Sequence, residues 1–127
     1  MSIYAVDFDQ TLAIGGYDFP DIGKPNIPLI AFLIQKRKDG HKVVLWSCRE
    51  GDNLANAVGW CRNMGLEFDA VNDNIPAIIE AYGVNSRKVF ADYYIDDKAV
   101  KDFRELLPKS NAIPKEVAKR KARIIRR

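Results

Sequence analysis

Short apolar β-prone runs alternate with longer helical stretches along this chain, and that alternation limits the fold more than any other feature. Residues 3 to 8, Ile-Tyr-Ala-Val-Asp-Phe, make a run of the kind that is buried on both faces of a sheet. Residues 11 to 25 carry Gly15, Gly16, Pro20, Gly23 and Pro25, a density of breakers that predicts an irregular loop or small hairpin. Asn26 then offers an N-cap, Pro28 suits an early helical position, and Leu29, Ile30, Phe32, Leu33 and Ile34 make an apolar helix ending at Gly40. The unit repeats, with His41 to Trp46 as a strand, Ser47 to Gly51 as a turn, and Leu54 to Met64 as a helix stopped by Gly65. Phe68 to Val71 reads as a short third strand, and Ile75 to Tyr82 as a helix with Asn74 as its cap. Tyr93 to Ile95 form a last strand before Asp96 and Asp97, and Val100 to Leu107 a closing helix stopped by Pro108. Strands and helices alternating at this spacing pair in parallel through right-handed crossovers. The expected fold class is therefore α/β, a three-layer α/β/α sandwich with a mostly parallel sheet and a Rossmann-type core.

At 127 residues the chain suits one domain, with residues 1–110 as its core and 111–127 as a basic C-terminal tail. A hydrophobic fraction of 47% and a charged fraction of 29% exclude a disordered or fibrous chain. Asp7 and Asp9 interrupt the only early apolar run, so no signal peptide is read, and the apolar segments are too short for a membrane span. These features point to a cytoplasmic protein without a membrane partner. Cys48 and Cys61 have neither a second pair nor a nearby His, which argues against a disulfide framework or zinc site and for two buried thiols. The net charge of +3 is unevenly spread: residues 115 to 127 hold seven Lys or Arg against one Glu, a net +6 that leaves the rest at −3. A mildly acidic body with a basic tail is not the pattern of a uniformly basic nucleic-acid binder.

In an open parallel sheet, ligands bind beyond the carboxyl ends of the strands. Asp7 and Asp9, Ser47, and Asp96 with Asp97 each fall just past an expected strand end, so clusters far apart in sequence converge on one rim. The pattern Asp7-Phe8-Asp9-Gln10-Thr11-Leu12, with Ser47 after the second strand, Lys88 upstream and Asp96-Asp97 downstream, closely resembles the haloacid dehalogenase-like (HAD) phosphatase superfamily. The resemblance covers about residues 3 to 107. Trp46-Ser47-Cys48-Arg49-Glu50-Gly51 and the stretch Phe68-Asp69-Ala70-Val71-Asn72 further resemble small, capless members from bacteria and phages. The segment between Asp9 and Asn26 is too short for a helical cap domain, which predicts an open site.

A phosphate monoester needs an in-line nucleophile, a proton donor for the leaving oxygen and positive charge on the equatorial oxygens. Asp7 can serve as the nucleophile, forming an aspartyl-phosphate, and Asp9 as the acid and base, a role that asks for a raised pKa from nearby negative charge. Clustered carboxylates call for a hard cation, and Mg²⁺ suits Asp7, the backbone carbonyl of Asp9, Asp96, and Asp97 directly or through water. Ser47 can donate a hydrogen bond to the phosphoryl group and Lys88 can hold that group and Asp7, while Thr11 braces the substrate loop. Lys98 is the alternative to Lys88; Lys88 is preferred because Lys98 lies beyond the last strand.

Arg49 and Glu50 are candidates for substrate contact from the second loop, with a surface ion pair as the competing reading. Trp46 and Trp60 are expected to pack in the core, His41 to be structural, and Asn72 and Asn74 to serve turns or caps. The tail can attract nucleic acid or dock on a second subunit, although most such termini are solvated. The partner expected is a phosphorylated substrate, macromolecular or a nucleotide, with a homo-oligomer also open. A non-catalytic phosphate- or nucleic-acid-binding module and a phosphotransferase are the alternatives to a phosphohydrolase.

Overall fold

The computed structural model describes residues 1–108; the basic tail lies outside the described residues. Its centre is β1 (Ile3–Val6), with a parallel neighbour on each side and all four residues buried by the side chains packed on the two faces. One neighbour is β4 (Lys42–Leu45) and the other β6 (Tyr93–Ile95), and β5 (Ala70–Val71) adds to the far edge of β4. The order β5-β4-β1-β6 runs parallel throughout. The connection from β1 goes to one side through β4, and the last strand returns to the other. The sheet therefore has a topological switch point beside β1, where α/β sheets place ligands.

The breaker-rich segment is a hairpin of β2 (Ala13–Ile14) and β3 (Lys24–Pro25). Gly23 is required there, since a Cβ would lie 2.2 Å from the Ile14 carbonyl oxygen. Helix α1 (Ile27–Lys38) starts where Asn26 accepts from the Leu29 N–H, and Lys36, Arg37 and Lys38 complement its C-terminal dipole. It packs with α2 (Gly51–Asn63) on one face of the sheet, where Ile30, Leu33, Ala57 and Cys61 meet Tyr4, Val6, Val43 and Leu45. The short α3 (Pro76–Tyr82) covers part of the opposite face through Ile75 and Ile78 against Ile3 and Val44. These three layers are the α/β/α sandwich expected, and no cap domain interrupts it among the described residues. No helix there is long and apolar enough to cross a membrane.

Two elements differ from expectation. The closing helix over 100–107 is only a single 3₁₀ turn, Phe103–Leu106, capped by Asp102. Phe103 and Leu106 stay exposed, so no buried apolar face sustains a longer helix. Asn74 does not cap α3, whose N-cap is Ile75. Its buried amide instead accepts from Phe90 N–H and donates to Asn85 Oδ1 and the Ser86 carbonyl, fastening the 85–90 segment to the sheet.

Asp69 joins three elements at the sheet edge, receiving Arg37 Nε at 3.2 Å, Arg37 Nη2 at 3.0 Å and Val43 N–H at 2.8 Å. Burial alone would raise its carboxyl, but the Arg37 bonds, the Val43 N–H and the charges of Arg37 and Lys42 outweigh it and hold the group below the usual carboxylate range. Asp69→Ala is expected to cost about 2 kcal/mol in urea unfolding at pH 7. A lowered carboxyl stabilises the fold above its unfolded pKa and loses that contribution as pH falls, so the gap between wild type and variant should narrow in acid.

Candidate functional site

The register of the sheet builds the site. Val6 is level with Leu45 on one side and Ile95 on the other, so Asp7, Trp46 and Asp96 occupy the next row. Asp7 N–H donates to the Ile95 carbonyl at 3.0 Å and Trp46 N–H to the Val6 carbonyl at 2.9 Å, extending the ladder one step beyond the strands. Carboxylate oxygens of Asp7, Asp96 and Asp97 all lie within 4.8 Å of one another. Asp7, Asp9, Ser47, Asp96, Asp97 and Lys98 line a cavity of about 460 Å³. An adjoining cavity of about 320 Å³ brings Lys88 to the same Asp7 and Asp96. Lys98 thus shares one cavity with Asp7 and Lys88 another, and neither forms an ion pair with it.

Burial pushes the Asp7 carboxyl up to about 6; the charges of Asp96, Asp97 and Asp9 push the same way, and the Phe8 backbone N–H partly opposes them. None of Asp7, Asp96 and Asp97 forms a salt bridge within the described residues. Three uncompensated carboxylates with convergent oxygens fit a hard divalent cation such as Mg²⁺, and they offer no soft or nitrogen donor for zinc.

Arg49, a candidate for substrate contact, has other work. Arg49 does not reach outward: its side chain is only 1% exposed. The guanidinium donates to both oxygens of Asp9, each at 2.8 Å, and to the carbonyls of Pro20 and Asp21. It lies between the rings of Phe8 and Phe19, 5.1 and 4.9 Å from their centroids. The hydrogen bonds and charge of Asp9 raise the Arg49 pKa against burial. The sequence asked for negative charge around Asp9; the structure sets a cation against it. Thr11 is likewise buried, and its hydroxyl accepts from Asp97 N–H at 3.2 Å, which ties the first acidic loop to the last.

Ser47 stands on the rim, its hydroxyl accepting from Arg49 N–H at 3.1 Å. Asn72 holds this loop in place, accepting from Ser47 N–H at 2.7 Å and donating to the Arg49 carbonyl at 3.2 Å. Its positive φ of 50° is one that Asn tolerates, and its place one step past β5 is the sequence signal for this role. Trp60 packs against Phe8, whereas Trp46 is exposed on the rim, contrary to a core role. His41 is structural, accepting from Ser2 N–H at its ring nitrogen.

Cys48 is exposed beside the site, not buried as expected, while Cys61 is buried and its thiol is pushed up to about 12 by that burial. A chromogenic disulfide reagent at pH 8 should therefore titrate one thiol rapidly in the native protein and the second only on unfolding. Equal reactivity of both would contradict this packing.

No protein-family model and no curated protein matches this chain. A solved structure of a conserved protein from Bacteroides thetaiotaomicron matches with a TM-score of 0.67 and 37% sequence identity, over 83% of this chain and 85% of that one. The chain belongs to the family of that protein. The likeness spans most of both chains, so the overall fold is shared between them.

Proposed function

We propose that this protein is a Mg²⁺-dependent phosphomonoester hydrolase of the HAD-like type. The observation that carries this reading is the convergence of Asp7, Asp96 and Asp97 within 4.8 Å, with Asp9, Ser47 and Lys98 lining the same cavity and Lys88 the adjoining one. Asp7 Oδ attacks phosphorus as the bond to the leaving oxygen breaks, giving an aspartyl-phosphate. Asp9 is placed to take a proton from the water that cleaves the aspartyl-phosphate and, in its protonated form, to give one to the leaving oxygen. The Arg49 bonds leave lone pairs on the Asp9 oxygens free to face the cavity, where the carboxylate is 40% exposed. Ser47 and Lys88 stabilise the phosphoryl oxygens. Asp7, Asp96, the Asp9 carbonyl, and Asp97 directly or through water would hold Mg²⁺, which would supply charge neutralisation. Two free thiols suit a reducing cytoplasmic setting.

Mg²⁺-dependent phosphate release from an aryl phosphate, lost in Asp7→Asn, tests the reading. A non-catalytic phosphate-binding module is the second reading, and the Arg49 clamp on Asp9 favours it. Complete inactivity over sugar phosphates, nucleotides and phosphorylated oligonucleotides with Mg²⁺ would decide for that module, and phosphorylated acceptors among the products would decide for a phosphotransferase.

A further inference from the structure

The face of the sheet on the α3 side is thinly covered beside β6, and it leads away from the carboxylates. Parallel register puts Ala5, Val44 and Tyr94 in one row directly behind Asp7, Trp46 and Asp96, with side chains on the same face. Trp46 follows β4 and Tyr94 lies in β6, yet their rings meet across β1 with centroids 5.6 Å apart, because the residue between them is only Ala5. Beyond Tyr94 the groove widens into a cavity of about 520 Å³ that also touches Tyr82, Phe90 and Lys88. Tyr82 and Phe90 form a second aromatic pair, 6.0 Å between centroids. Lys88 lines both parts of the groove, its ammonium 5.7 Å from the Tyr94 ring centroid. All four rings are at least 37% exposed.

Apart from the Tyr82 hydroxyl and the Lys88 ammonium, the polar side chains of this groove are already spent on the fold. Asn74 is fully engaged by the 85–90 segment, the Ser86 hydroxyl donates to the Lys88 carbonyl, and the Tyr94 hydroxyl donates to the Val89 carbonyl and accepts from Ala91 N–H. Sugar hydroxyls would find few partners here. Flat apolar rings would find a stacking surface, and two aromatic pairs in succession along one groove match the successive bases of a single strand.

We infer that the groove from Trp46 and Tyr94 past Lys88 to Phe90 and Tyr82 binds the terminal nucleotides of a phosphorylated single-stranded oligonucleotide, presenting its end phosphate to Asp7. This substrate class rests on reading the rim as a phosphomonoester site. The Trp46–Tyr94 pair takes the terminal base and the Tyr82–Phe90 pair the next base, while Lys88 stays with the end phosphate. A mononucleotide would use only the first pair.

Fluorescence polarisation of an end-phosphorylated single-stranded hexanucleotide on the full-length Asp7→Asn chain in Mg²⁺ tests this without turnover. Phe90→Leu and Tyr82→Leu keep apolar bulk and remove the aromatic faces, and each is expected to weaken binding about tenfold. Because the basic tail is present in every variant, its contribution cancels. A nucleoside monophosphate should bind at least tenfold more weakly than the hexanucleotide. Unchanged binding in both correctly folded variants, or a mononucleotide binding as tightly, overturns the inference. If glycerol phosphate is hydrolysed while the groove variants bind the oligonucleotide like the parent, the inference fails and the phosphatase reading stands. If nothing is hydrolysed but the variants lose binding, the groove stands and the phosphatase reading fails.

Discussion

Asp7→Asn is expected to abolish phosphate release, by at least about 10³-fold, and at the same time to stabilise the protein in the absence of Mg²⁺. The first effect follows from removing the nucleophile. The second follows from the cost of a charge at that position. The folded protein holds the Asp7 proton more tightly than an ordinary carboxyl, with a pKa of about 6 against 3.8, chiefly because of burial. For a group raised in this way, the contribution to stability is fully present below the unfolded pKa and is lost as pH rises through about 6. The shift corresponds to about 3 kcal/mol unscreened, and solvent at this half-buried group reduces it to about 1 kcal/mol. A neutral amide avoids that cost, so the variant should melt roughly 4 °C higher than wild type at pH 7.5 in chelator. Mg²⁺ should reverse the order, since a cation at a hundredfold excess over its Kd stabilises the wild type by about 2.7 kcal/mol and gains less from the variant. Thermal melts with and without Mg²⁺, beside a phosphate-release assay, check both arms. A variant that melts below wild type in chelator would contradict the burial argument, and one that keeps turnover would remove Asp7 from the chemistry.

The sheet was legible because its signals are local. Ile3–Val6 and Lys42–Leu45 are apolar runs of strand length, and Gly40 and Gly65, with φ of 93° and 90°, mark the helix ends. Placing Asp7, Ser47 and Asp96 at strand ends then required only the rule for parallel sheets. Depth was not legible. Ser47-Cys48-Arg49-Glu50 is a polar run that reads as a solvated turn, and nothing in it says that Arg49 is swallowed by Phe8, Phe19 and the hairpin loop while Cys48 is left outside. The exposure of Trp46 is hidden from the sequence for a related reason, since strand register and the small Ala5 decide that it lies on an open face. The closing helix failed because Val100 to Leu107 has helical spacing but no surface to pack its apolar side chains against.

Arg49 is where that hidden depth has the largest expected consequence. Its guanidinium satisfies both Asp9 oxygens and two backbone carbonyls of the β2–β3 loop at once, so it fixes the acid/base and the loop as one unit. Arg49→Met keeps the stem between the two rings and removes every one of these bonds, leaving the Pro20 and Asp21 carbonyls and Asp9 without their donor. Asp9 keeps solvent, but two loop carbonyls lose their charged donor, which costs about 2 kcal/mol, so a denaturant midpoint should fall and residues 15–25 should become open to proteolysis. Arg49→Lys should recover little, because an ammonium cannot donate to both carboxylate oxygens in the fork geometry of a guanidinium. A double-mutant cycle separates the pair from mere packing. Asp9→Asn should cost less stability in the Arg49→Met background than in wild type, with a coupling of about 1.5 kcal/mol. Under the hydrolase reading, kcat in Arg49→Met should drop at least tenfold with KM nearly unchanged, since Asp9 loses its orientation and the phosphate-binding groups do not. Additive stability effects together with a KM-only change would show that Arg49 serves the loop alone, and that Asp9 takes its position from elsewhere.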